Sequence, residues 1–230
     1  MINLNVLLSD LWIIIGIVPK TLAMAMMVFA CAVLIGSILA TFEHKEIPVL
    51  KQLVVAYKVL LKGPPMVIVI FLSYFGLPVA FEFLASLVGI QYDAYSTPNW
   101  VILVTALIFC FSAFESEIIK GALNSFDSGQ SDAARSLGYT DQQMVRRIMF
   151  PQVVVNAIPD LTTSLMIIMK ALALGFAIEV VEIFAQAQIL ASLNYYYLEA
   201  FLAATIVYMV IAYCITLIAD KAESTLRLRS

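Results

Sequence analysis

Apolar residues run along this chain in blocks of helical length, and the short polar stretches between them hold almost all the charge. Thr21 to Phe42 carries no formal charge, and Met66 to Phe81 is apolar and resumes past Glu82 to Ile90. Trp100 to Phe114 is uncharged, with a helical pattern that continues to Lys120. Leu161 to Ile178 is interrupted only by Lys170, and Ala200 to Ala219 is again free of charge. A helix needs about 20 residues to cross a bilayer, within a range of roughly 17–25. The pattern therefore predicts five spanning helices, over about residues 21–42, 66–84, 100–120, 156–178 and 198–219. The opening stretch Leu4 to Val18 contains Asp10 and ends at Pro19-Lys20, too close to the first span for a turn across the membrane. It reads as an N-terminal interfacial helix, with an uncleaved signal-anchor segment as the alternative. The expected fold is an all-α membrane protein, a single transmembrane unit over residues 1–230 with one long loop, 121–151, between spans three and four.

Composition agrees. The chain is 63% apolar and 13% charged, with a mean hydropathy of +0.98. Ordinary soluble domains run about 45–50% apolar and about 25% charged. A soluble domain, a disordered chain and a disulfide-stapled scaffold are excluded, and a net charge of −3 with no basic patch excludes a nucleic-acid partner. The solvent is a lipid bilayer.

Charge then sets the orientation. Of 13 basic residues, 11 fall in the segments 43–65, 115–150 and 220–230, and none in 82–99 or 179–199. Those last two segments carry Glu82, Asp93, Glu179, Glu182 and Glu199, an acidic outer face. The positive-inside rule puts the N-terminus outside and the C-terminus in the cytoplasm, as an odd number of spans requires. Tyr195-Tyr196-Tyr197 falls at the outer interface, where aromatic residues anchor helices.

Candidate chemistry is sparse. Cys31, Cys110 and Cys214 lie inside predicted spans without ligand spacing, and His44 is the only histidine, so no metal site is expected. No G-x-x-x-x-G-K-[ST] loop occurs, so the chain holds no nucleotide through a P-loop of its own. The long loop is the informative stretch. Ser131 to Leu137 has helix formers and the small pair Ala133-Ala134, and Gly138 supplies a left-handed helix stop. Thr140 with Gln143 three residues on is a capping-box start for a second helix, which carries Arg146-Arg147 and runs past Pro151 into the fourth span. On its own this helix–glycine–helix elbow also fits a solvated surface hairpin.

The same residues resemble a known family. Asp132-Ala133-Ala134, then Gly138, then Ile148-x-Phe150-Pro151 is similar in spacing to the E-A-A-x3-G-x9-I-x-L-P signature of membrane subunits of ATP-binding-cassette importers. Asp stands for Glu and Phe for Leu. Lys62-Gly63-Pro64-Pro65, followed by Tyr74-Phe75-Gly76-Leu77-Pro78, resembles the R-G-T-P … Y-F-G-L-P run of the polar amino-acid uptake subfamily. Glu117 to Leu123 resembles its A-E-I-F-R-G-G-I stretch. The resemblance covers the chain from about residue 20 to the C-terminus.

It implies a permease subunit of a plasma (inner) membrane importer, moving an amino acid or close analogue by alternating access. The helix Ser131 to Leu137 would dock on a separate ATPase, with Asp132, Ala133, Ala134, Arg135, Leu137 and Gly138 as coupling residues. The implied partners are two ATPase subunits, a second permease subunit making a homo- or heterodimer, and an extracytoplasmic substrate-binding protein. ATP and Mg would sit on the ATPase, and this chain would bind no cofactor and catalyse no reaction. Against this stands a secondary transporter outside the family, which would usually show duplicated halves.

The ligand path is less legible. Where the subfamily commonly has Gln, this chain has Val69, and where it has K-D-T-S-L, this chain has Lys170-Ala171-Leu172-Ala173-Leu174. The ligand is less polar, or other residues line the path, or this chain is the non-binding half of a heterodimer. Lys170 near mid-span costs roughly 2.5–3.5 kcal/mol on insertion scales unless paired or hydrated, so it needs a partner, a cavity or the other subunit. Glu115 and Glu117 are about 200° apart around a helix and cannot share one cavity. One reading makes Glu117 a structural or gating ligand near Lys170. The other leaves both carboxylates solvated at the inner interface and Lys170 bonded to backbone carbonyls.

Overall fold

The computed structural model describes residues 2–44 and 48–227, which form nine α-helices and no strand. Lys45 and Arg229, both counted in the charge bias, lie outside the described residues. The helices are α1 (Leu4–His44), α2 (Pro48–Lys62), α3 (Met66–Leu87), α4 (Asn99–Asn124), α5 (Ser128–Ser136), α6 (Asp141–Met144), α7 (Phe150–Leu172), α8 (Ile183–Asn194) and α9 (Tyr197–Arg227). Five helical segments among the described residues are long and apolar enough to span a bilayer: α1, α3, α4, the run from α6 through α7 to Ile178, and α9.

The bundle is built around α4, which packs against α1, α2, α3 and α7, while α9 closes the other side against α1, α7 and α8. A seam of small residues makes the α1–α4 contact possible. Ala25, Ala32, Gly36 and Ala40 are all buried along α1. A β-carbon added at Gly36 would stand 2.8 Å from both the Glu115 Cβ and the Ser116 nitrogen. Close backbone approach of this kind holds helices together where lipid offers no hydrophobic drive for association. Gly175, beyond α7, leaves room for a side chain instead, since a β-carbon there would lie 2.4 Å from Leu103 Cδ2 of α4.

Three expectations change. The opening stretch is not a separate interfacial element. Pro19 lies inside α1, which runs unbroken for 41 residues, and Asp10 and Ile14 are buried on it. At 1.5 Å per residue this is about 60 Å, twice the ~30 Å hydrocarbon core, so one end extends well beyond the bilayer. The connections between the first and second spans and between the fourth and fifth are not plain loops, because α2 and α8 occupy them. The segments 82–99 and 179–199 also expose fewer carboxylates than the sequence implies. Glu182 is enclosed, capping α8 through Ala185 N at 2.7 Å and accepting from the Tyr208 hydroxyl at 2.8 Å. Glu199 is buried and accepts from Asn3 N at 2.9 Å. Glu82, Asp93 and Glu179 remain exposed.

The fourth apolar block also differs in its make-up. Helix α7 stops at Leu172, and Ala173–Ile178 tightens into a 3-10 turn that ends on Glu179 in the left-handed region (φ 61°). Before α7, Val145–Met149 widens into a π-helical turn. Pro151 explains the widening, because its ring clashes with the carbonyl four residues earlier in a regular α-helix.

Candidate functional site

The elbow in the long loop is set by local chemistry. Asp127 caps α5 by accepting from Gly129 N at 2.8 Å. At the other end Tyr139 N donates to Ala134 O (3.1 Å) and Gly138 N to Arg135 O (2.9 Å), the paired bonds of a Schellman stop. Gly138 takes φ +82°, where a β-carbon is costly. The chain restarts at once. Thr140 Oγ1 accepts from Gln143 N at 3.3 Å while Thr140 N donates to Gln143 Oε1 at 3.0 Å, so the capping box expected from the sequence is formed.

Side chains then fix the angle between α5 and α6. Arg135 Nε donates to Asp141 Oδ1 at 3.0 Å, and its guanidinium reaches Asp132 at 3.7 Å. Ser131 Oγ lies 3.8 Å from the buried Met144 sulfur. The two alanines differ. Ala134 is 2% exposed and turned into the elbow, whereas Ala133 faces outward beside Asp132, Arg135 and the bare side chain of Leu137. Only Ala133 is therefore free to meet another surface. Further hydrogen bonds tie the elbow to α7, from Gln152 Nε2 to Gln130 Oε1 (2.8 Å) and from Asn156 Nδ2 to Ser125 Oγ (3.0 Å).

The intramembrane residues separate. Glu115 is fully enclosed and hydrogen-bonded by Ser164 of α7, with its Oε2 unpartnered. It is not solvated, so the reading that leaves it in water at the inner interface does not describe it. Glu117, half exposed, pairs with Lys62 at the end of α2 and not with Lys170. Lys170 is exposed on α7, with no hydrogen bond or ion pair among the described residues, so the carbonyl-bonded reading is not what the structure contains. Val69 is almost enclosed on α3.

One cluster was invisible in the sequence. Glu43 at the end of α1 is buried between Lys58 of α2 and Lys120 of α4, bonded to both. Tyr57 of α2 adds a 3.0 Å bond to Phe109 O and a 2.6 Å bond to Ser112 Oγ on α4. These partners are up to 77 positions apart, so no local pattern announces them. Among the described residues no group of three or more His, Cys, Asp or Glu could hold a metal ion.

Comparison with known proteins follows the same lines. Residues 32–228 match the family described as binding-protein-dependent transport system inner membrane component. The chain is 35% identical over 205 residues to the probable amino-acid permease protein YxeN of Bacillus subtilis (strain 168), covering 89% of this chain and 87% of that protein. It is 33% identical over 224 residues to the probable amino-acid ABC transporter permease protein PatM of Vibrio harveyi, covering 97% and 96%. The crystal structure of an amino acid ABC transporter with histidines superposes with a TM-score of 0.80 at 24% identity, covering 98% of this chain and 99% of that one.

Proposed function

The chain belongs to the family of binding-protein-dependent transport system inner membrane components, and we propose that it carries an amino acid or close analogue into the cell as the permease subunit of an ATP-binding-cassette importer. It is a multi-pass membrane protein and not an enzyme, because in such systems ATP is hydrolysed on a separate subunit. Reading it as a secondary transporter outside the family has no support. Relatives across nearly its whole length are named for amino-acid transport, which supports the cargo class.

The observation that carries the coupling role is the elbow. A nine-residue helix is stopped, turned and restarted by side chains that hold each other, and it offers Ala133 and Leu137 outward at the end of the bundle that carries Lys58, Lys62 and Lys120. In our reading α5 docks on the ATPase, with Asp132, Ala133, Arg135 and Leu137 at the contact and Ala134 and Gly138 shaping it. Closure of two ATPase subunits around ATP and Mg draws two such helices together and switches two permease subunits between outward- and inward-facing states. The N-terminus then lies outside and the C-terminus in the cytoplasm, and a binding protein delivers cargo to the outer face. Lys170, Glu117 and Val69 belong to the path side of the bundle, where the exposed Lys170 faces water or the second subunit. The test is ATP-driven uptake by the reconstituted complex with its binding protein, against a panel of amino acids, with stimulation of ATP hydrolysis expected for one class of them.

A further inference from the structure

A groove of about 290 Å³ opens between α3, α4 and α7, beside the middle of α7. Its walls include the rings of Phe111 and Phe114, and its polar lining is Glu117, Asp160, Thr163 and Ser164. The direction of the existing hydrogen bonds is informative. Thr163 Oγ1 spends its proton on Pro159 O at 3.0 Å, and Ser164 Oγ spends its proton on Glu115. Both hydroxyls therefore turn only lone pairs to the groove. The Asp160 carboxylate is exposed and has no hydrogen bond or ion pair among the described residues. Every polar group facing this space is an acceptor, and two of the four are carboxylates.

The chain itself shows what suits such a lining. The Lys62 ammonium lies 4.8 Å from the centre of the Phe114 ring and pairs with Glu117. A carboxylate beside an aromatic face is a recognition unit for ammonium and guanidinium groups. We propose that this groove receives a cationic group of the cargo on its way through the bundle, and that Lys62 is a tethered cation that holds the position when cargo is absent. Asp160 is the open half of the site and Glu117 the half that Lys62 covers. The inference rests on the amino-acid importer reading and adds to it a place and a chemistry.

The cationic group is either the α-ammonium common to amino acids or a side-chain cation, and three probes separate them. Arginine has both, glutamine only the α-ammonium, and 5-guanidinopentanoate only the guanidinium. Binding of each to the purified permease–ATPase complex, without its binding protein, is measured by calorimetry alongside uptake by the full complex in proteoliposomes. Asp160→Asn keeps the shape while removing the charge and replacing one acceptor with a donor. It is expected to weaken arginine binding about tenfold, and Lys62→Met to strengthen it by removing the competitor. Equal loss for arginine and glutamine assigns the site to the α-ammonium, and equal loss for arginine and guanidinopentanoate assigns it to the side chain. Unchanged affinity for all three probes in Asp160→Asn overturns the proposal, as does weaker arginine binding in Lys62→Met. Uptake that proceeds while the wild-type complex binds none of the probes overturns the groove alone. A wild-type complex that takes up no amino acid overturns the importer reading for this cargo class.

Discussion

Arg135 and Asp141 meet at 3.0 Å across Gly138, so the two helices of the elbow are clamped on either side of the one residue that turns them. Both side chains are exposed, and exposed ion pairs contribute little to stability. The backbone of Gly138 matters more. A β-branched residue at φ +82° costs roughly 1–2 kcal/mol, whereas Asn tolerates the left-handed region. Gly138→Val is expected to leave the permease inserted but uncouple uptake from ATP hydrolysis. Gly138→Asn should retain most uptake, and Arg135→Ala should disturb the elbow less than Gly138→Val. Uptake and ATPase rates of the three variants in one reconstitution make the comparison.

The α1–α4 seam sets a second expectation. At Gly36 a β-carbon meets backbone atoms, which cannot move aside as a flexible side chain does, whereas at Gly76 nothing lies within 4 Å. Gly36→Val should sharply lower the yield of folded protein and the midpoint of thermal unfolding in detergent. Gly76→Ala should leave both near wild type.

The ion cluster at the end of α1 sets a third. Removing one partner of a buried pair leaves an uncompensated charge and costs about 3–5 kcal/mol. Glu43→Ala strands Lys58, which is buried, so a loss near the lower end of that range is expected because Lys120 can still reach water. Lys120→Ala leaves the Lys58–Glu43 pair intact and should cost less. Thermal unfolding of the two variants under matched conditions orders them.

Orientation is tested by labelling. Asp93 and Ser128 are both exposed, at opposite ends of α4 and its flanking segments. With an impermeant thiol reagent on intact cells in a background without other cysteines, Asp93→Cys should label and Ser128→Cys should not. The reverse pattern would invert the topology.

What the sequence revealed follows from how far apart the interacting residues lie. The elbow was legible because its stop and restart depend on groups within a few positions, Gly138 on Arg135 and Thr140 on Gln143. The apolar blocks were legible because a bilayer demands length and lack of charge. Helix α8 was not, because it is short and its buried Ile183, Ala187 and Ala191 gain their burial from tertiary packing. The lysines on Glu43 and Glu117 and the Tyr208 hydroxyl on Glu182 come from other helices, and no spacing rule reaches them. Pro19 misled for the opposite reason. A local rule expects a break there, and packing of Asp10, Ile14 and Thr21 on both sides of it keeps α1 continuous.

The central claim is that the outward face of α5 is where ATP-driven closure enters this subunit, and Ala133 tests it most directly. Because Ala133 is exposed and Ala134 is buried, a large residue at the first position blocks a docking surface while the same residue at the second breaks the elbow itself. The deciding measurement is co-purification of the ATPase with Ala133→Trp, together with ATP-driven amino-acid uptake in proteoliposomes. The account predicts a folded, inserted permease that holds its ATPase weakly and transports little. Full ATPase recovery and wild-type uptake by Ala133→Trp would contradict it.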